Sequence, residues 1–412
     1  MIEAPPFDKS LGMLYYVTDT CPAGGVIKAR PEDFIVEEVL KDGTVVALTG
    51  ISLKPRVGSW TWIHVVKKNT DTLKLLLYLA KTLGLKARDI SIGGIKDTRA
   101  VTSQIISIRG DVTNLPKIRN VEFLSFWPMD KPITPSLIYG NRFTITLRNV
   151  EKVDCAEATL KTLQYIALPN YYGYQRFGTI RPVSHLLGKA LVKKDAEEFF
   201  DIMFCKIFAY ESDVAKKARE AACKGDYRRA LEIFPKRFIE ERAVLRGLLR
   251  GLDLWNAIMS IPIQILRIYV EALQSYLFNL FLSKRMELGP LNRPIEGDLV
   301  EINGQVVHYA EGLGGEVVLP TVGVGVKMPR GKVGEAVLQL LKREGVEPSM
   351  FLKMPRGLRV YGGYRKVVLT LRDFRYAVDK EVTVSFTLPR GSYATVILRE
   401  VVKPEEPYRH GF

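Results

Sequence analysis

The sequence predicts an α+β protein of two domains, and three observations carry that reading. Strand-like alternation opens the chain over 26–66 and returns after 367. Between them, roughly 184–285 reads as helical and rich in basic residues. The chain, at 412 residues, is longer than one ordinary core. Segregated runs of strands and helices point to α+β rather than a doubly wound parallel sheet.

The elements follow in order. Phe34 and Val36, then Thr61-Trp62-Ile63-His64-Val65, carry the β-branched and aromatic residues that suit a pleated surface. From Asp71 the period changes, and Leu73, Leu76, Leu77, Ala80 and Leu83 predict one face of a helix. Asn69-Thr70-Asp71 supplies N-caps and Gly84 a stop. Ile90-Ser-Ile92 and Ile105-Ile106-Ser-Ile108 predict short strands, leaving Asp97 on the loop between them. Phe143–Arg148 reads as a strand, about Cys155–Leu168 as a helix, and Pro169–Pro182 as a loop. Valines and glycines over 296–330 predict short strands and turns. Val367–Leu371 and Val382–Val401 read as strands again.

Composition narrows the function classes. Sixty Lys and Arg against 45 Asp and Glu give a net charge of +15, which attracts polyanions, nucleic acid first among them. Cys21, Cys155, Cys205 and Cys223 are dispersed with no CxxC pair. Neither a disulfide framework nor a thiolate zinc site is therefore expected, in keeping with a reducing cytosol. His64, His185, His308 and His410 show no HxxxH or HExxH spacing, so a histidine metal site is not expected. The N-terminus lacks the layout of a signal peptide, and no run of 18 apolar residues occurs. A soluble, cytoplasmic protein is the expectation. Residues 213–250 hold eleven Lys and Arg against six acids, which fits either a solvated helical face or a surface that grips an RNA backbone.

Three clusters could carry chemistry. Asp97 sits in Gly93-Gly-Ile-Lys-Asp-Thr-Arg-Ala-Val-Thr-Ser-Gln104, where Lys96 and Arg99 flank a single acid and favour its ionised form. The run also fits a plain polar turn. Pro169-Asn-Tyr-Tyr-Gly-Tyr-Gln-Arg-Phe-Gly178 packs four aromatics, Asn170, Gln175 and Arg176 into ten residues. Such a set can stack on unpaired bases and bond their edges, or form an aromatic corner bonded to itself. Lys28-Ala-Arg-Pro-Glu-Asp-Phe-Ile-Val-Glu-Glu38 could form an ion-pair network of little energetic weight.

Together these stretches resemble, in order and spacing, the motifs of the TruD family of pseudouridine synthases. Lys28–Glu38 matches its K-x-x-P-E-D-F-x-V-x-E segment, and Gly94–Gln104 its G-x-K-D-x-x-A-x-T-x-Q segment. Gly140–Arg148 matches G-N-x-F-x-I-x-L-R. Asn170–Gly178 matches N-Y-F-G-x-Q-R-F-G, with Tyr172 where many members have Phe. Gln274–Asn279 and Leu388–Glu400 resemble two further segments, so the likeness spans nearly the whole chain.

The resemblance implies a tRNA pseudouridine synthase, an isomerase acting without cofactor or metal on RNA. The family's usual target is uridine 13 of the D-arm. Asp97 takes the catalytic role, Lys28 holds it ionised and oriented, and Phe143 stacks on the flipped base with Asn141 beside it. Lys96, Arg99, Asn170, Tyr172, Gln175, Arg176 and Phe177 are the expected RNA contacts. In fold, it implies a catalytic domain on a mostly antiparallel mixed sheet flanked by helices, over 1–180 and about 360–412. A family-specific α/β domain is inserted over about 181–359, its length and charge closer to archaeal or eukaryotic members, and the two lobes form a cleft for RNA. No membrane and no obligate protein partner are implied. The rivals are a catalytically silent tRNA-binding or folding chaperone on the same scaffold, and a metal-dependent nuclease using Glu32, Asp33, Glu37 and Glu38.

Overall fold

A computed structural model describes all 412 residues. The chain forms two compact units, one of Thr20–Ile166 with Thr370–Phe412, the other of Met1–Asp19 with Ala167–Leu369. The first 19 residues thus group with Ala167–Leu369.

The Thr20–Ile166 unit is built on an eight-stranded sheet. Seven strands run in the spatial order Arg372–Val378, Val382–Pro389, Ile138–Leu147, Phe34–Leu40, Val101–Arg109, Trp60–Lys68, Val121–Met129. Every pairing is antiparallel except Phe34–Leu40 with Val101–Arg109, so the sheet is mixed and mostly antiparallel, as the family resemblance implied. The eighth strand, Ile90–Ile92, pairs with Ile106–Ile108 on the same edge that Phe34–Leu40 uses at Val101–Ser103. Gln104 and Ile105 lie in the gap between the two partners.

The Thr72–Thr82 helix starts where the caps predict, with the Asp71 side chain accepting from Lys74 N and Gly84 at φ +66° beyond its end. Its buried face differs from the expected one. Leu75 and Leu79 enter the core with Ile63, Val65 and Ile106, while Leu73 and Leu77 face water. A leucine at nearly every position from 73 to 79 leaves the period ambiguous, and the sheet decides it. Ala394–Val402 is a buried helix packed on the Val153–Leu163 helix, not a continuing strand. Its β-branched content suits a pleated surface, but burial on all sides removes the alternation that tells strand from helix. Val367–Leu371 likewise forms no strand.

The other unit centres on the Ile263–Leu288 helix, which packs on Ser184–Lys193 at Gly188. A Cβ there would sit 2.0 Å from Tyr269 O, so the close approach needs glycine. A four-stranded antiparallel sheet of Gln305–His308, Leu299–Ile302, Glu316–Thr321 and Gly363–Lys366 completes it. Arg285 and Asp298, both fully buried, pair at 2.8 Å. No helix is long and apolar enough to cross a membrane.

The cysteines correct the sequence expectation. Cys21 bonds Cys155 across 134 residues and Cys205 bonds Cys223 across 18, which leaves no free thiol. Spacing along the chain carries no signal for pairs that only the fold brings to Cα separations of 5.4 and 5.1 Å.

Candidate active site

Cross-strand register places one set of side chains on a single face of the large sheet. Phe143 lies opposite Val36, which adjoins Thr102, which lies opposite Lys67. In the next row Asn141 lies opposite Glu38, and Gln104 opposite Val65. The loop 93–100 crosses this face between the Ile90–Ile92 and Val101–Arg109 strands and presents Asp97 to solvent.

Side chains of four residues, Gln104, Thr72, Glu38 and Lys67, hold that loop. Gln104 Nε2 reaches Gly94 O at 3.4 Å. Thr72 Oγ1 accepts from Lys96 N and donates to Lys96 O, each at 3.3 Å. Lys96 Nζ donates to Glu38 Oε1 at 2.5 Å, and Lys67 Nζ donates to Asp97 O at 3.0 Å. Glu38 also accepts from Ile105 N at 3.2 Å, filling the gap where the strand edge has no backbone partner. Lys96 is nine-tenths buried on Glu38, while Asp97 is exposed.

Lys28 has a left-handed backbone, φ 56°, and its ammonium lies 4.3 Å over the Phe34 ring. Burial pushes its pKa down; the Asp97 charge opposes that shift and Arg99 adds to it. Phe34 meets Phe143 edge-on at 6.0 Å, and the aromatic chain continues through Phe386 at 5.7 Å to Phe374 at 6.3 Å. Asn141 Oδ1 is buried without a hydrogen-bond partner, as are Gln104 Oε1 and Thr102 Oγ1. Asp97, Lys28, Asn141 and Phe143 thus share one sheet face, joined by Lys67, which the sequence pattern did not single out. The available signal was a lysine in the inward series Ile63, Val65, Lys67.

The acids of the 28–38 segment each have a separate cation. Asp33 pairs with Arg148, Glu37 with Arg142, Glu38 with Lys96 and Glu32 with Lys68. Lys28 takes none of them, contrary to the network expected from sequence. No three His, Cys, Asp or Glu side chains converge.

Of the expected RNA contacts, Arg99 is exposed and Lys96 is not: its charge is spent on Glu38. The 170–178 segment, in the other unit, is largely self-engaged. Asn170 bonds Lys366 O and Arg365; Tyr172 is pinned through its backbone by Asn279 and lies under the Arg365 guanidinium at 4.2 Å. Tyr174 donates to Asp8 at 2.8 Å, and Arg176 bonds Ser275 and Glu271. Phe177 is fully buried edge-on to His185 at 5.3 Å, so its ring has no free face for a base. Gln175 is exposed.

Residues 10–401 match the family described as tRNA pseudouridine synthase D (TruD). A Pyrobaculum neutrophilum protein named "Probable tRNA pseudouridine synthase D" is 73% identical over 412 residues, covering all of both chains. A protein of the same name from Pyrococcus abyssi is 34% identical across 95% of this chain and 99% of its own. A crystal structure under the same family description, from Methanosarcina mazei, superposes with a TM-score of 0.78 at 29% identity. It covers 98% of this chain and 99% of that one.

Proposed function

Because the chain belongs to the tRNA pseudouridine synthase D family, we propose that it isomerises one uridine of tRNA, position 13 of the D-arm, with Asp97 as the reacting carboxylate. The enzyme class, an isomerase, follows from the family. The observation that supports Asp97 is its setting: an exposed carboxylate on a loop fixed at four points, with Lys28 and Lys67 both within its field.

The isomerisation breaks the bond from uracil N1 to ribose C1′ and makes one from C5 to C1′. N1 gains a proton and C5 loses one, so nothing is oxidised. A carboxylate serves as nucleophile at C1′, leaving when C5 attacks, or as base at C2′. Lys28 orients the Asp97 carboxylate. Phe143 is buried between Phe34 and Phe386, so a flipped uracil packs against its edge rather than its face, offsetting part of the few kcal/mol of unstacking. Asn141 Oδ1 suits the N3–H of uracil.

For the RNA backbone we assign the helices over 213–250. Folding sorts their charges. Arg219 is buried against Glu211 and Glu241, while Lys217, Lys224, Arg228, Arg229, Lys236, Arg237, Arg246 and Arg250 stay exposed and outside every ion pair. Of the seven RNA contacts expected from the signature segments, Gln175 and Arg99 are the exposed ones.

The test is pseudouridine formation on unmodified tRNA transcripts with EDTA present, with the position mapped. Wild type should convert one uridine, and Asp97→Asn none while binding RNA normally. RNA binding without conversion by either protein would favour the silent chaperone on the same scaffold.

A further inference from the structure

Lys67 occupies a position where the strand calls for an apolar side chain. Ile63 and Val65, four and two residues before it, are fully buried under the Thr72–Thr82 helix, and Lys67 itself is 1% exposed. An ammonium removed from water needs acceptors or an anion. No carboxylate lies within ion-pair distance of it; Nζ donates instead to Thr70 O at 2.8 Å and Asp97 O at 3.0 Å. An apolar residue would fill the same place without a buried charge, and a polar neutral one would serve two carbonyls.

The charge touches Asp97 through its carbonyl oxygen, at 3.0 Å. Among the ionised groups around Lys67 the Asp97 carboxylate acts on it most strongly, then Asp71 at the helix cap, with Lys96 opposing both. Thr102 across the strand pair and Val121 on the outer neighbour bring no charge. Burial pushes the Lys67 ammonium down to about 8.

We infer that Lys67 is a positioning residue for the reaction: it ties the Asp97 carbonyl to the end of the Trp60–Lys68 strand and sets a fixed positive charge behind the reacting carboxylate. The inference rests on the assignment of Asp97 in the proposed function. It divides the labour between two lysines. Lys28 approaches from the aromatic side of the sheet face, and Lys67 anchors the main chain from within.

Lys67→Met and Lys67→Gln should be compared with wild type by single-turnover pseudouridine formation from pH 6 to 9.5, by RNA affinity, and by hydrogen exchange of the amides of 94–100. Lys67→Met should lower the rate constant about 10²-fold, a magnitude typical of removing one electrostatic stabiliser from a reacting group. RNA affinity should stay within about threefold, because Lys67 is buried. The wild-type rate should fall above pH about 8 as the ammonium loses its proton, and both variants should lack that limb. Lys67→Gln should keep the loop protected from exchange yet remain slow. A folded Lys67→Met with wild-type rate and pH profile overturns the inference. If Lys67→Met does not fold, Lys67→Gln decides alone, and a wild-type rate in it is equally fatal. Absence of pseudouridine in the wild type overturns the functional reading instead; loop protection unchanged in Lys67→Met then overturns the anchoring.

Discussion

Glu38 and Lys96, separated by 58 positions in the chain, form a buried ion pair of 2.5 Å directly beneath the loop that carries Asp97. The same carboxylate accepts from Ile105 N, so one side chain closes a gap in a sheet edge and bolts the loop to it. Removing either partner strands a charge in the interior.

Lys96→Met should therefore cost about 3–5 kcal/mol of stability, the usual penalty for a buried charge left alone. Denaturant unfolding measures it. RNA affinity of the folded fraction should not change, although Lys96 stands next to Asp97 in sequence. A variant of normal stability and reduced affinity would return Lys96 to the RNA surface.

The two disulfides close loops of very different length, each within one compact unit. The chain-entropy relation gives about 5 kcal/mol for the Cys21–Cys155 bridge and about 3 kcal/mol for Cys205–Cys223. Replacing each pair by serine and comparing unfolding midpoints should reproduce that order. Reductant should destabilise wild type and leave the quadruple variant unmoved.

His185 is buried between Phe177 and Tyr276, and burial pushes its pKa down to about 3. The folded protein thus resists a proton that the unfolded chain takes up near 6.5. The associated stability is fully present above that value and is lost as pH falls towards 3, the loss amounting to about 3 kcal/mol by pH 4. His185→Phe should flatten the acid limb of an unfolding profile between these values. An unchanged limb would mean that other groups dominate it.

The exposed cations of 213–250 make a separate prediction about RNA. Alanine at Arg228, Arg229, Lys236 and Arg237 together should weaken binding and lower the slope of log affinity against log salt by about 0.7–0.9 for each phosphate no longer neutralised. The rate constant at saturating RNA should not move, because none of these residues belongs to the sheet face that carries Asp97. A salt slope equal to wild type would place the RNA elsewhere on the protein.

Much of the candidate site was legible along the chain because its signals are local. Asp71 as a cap, Gly84 as a stop, and the short strands on either side of Asp97 are each encoded within a few residues. So was the placement of Asp97 on a loop between them. The motif order from Lys28 to Arg148 named Asn141 and Phe143, which strand register brings to one face, and Lys28 and Asp97, which loops hold over it.

The rest depended on which strands meet. That Lys96 turns inward while Asp97 turns out follows from the backbone path of the loop over the sheet, and nothing in Lys-Asp-Thr-Arg states which of the two is buried. Lys67 gained its meaning from a carbonyl 30 residues away, and the four cysteines from folds of the chain that spacing does not report. Ala394–Val402 reads as strand and is helix, since burial on every side erases the periodicity on which the distinction rests. Sequence alone determined the chemistry on offer and the local elements, because propensity, caps and alternation act over one or two turns of chain. Tertiary structure alone decided which charges are sealed in pairs and which face water, because desolvation depends on what the fold stacks above each residue.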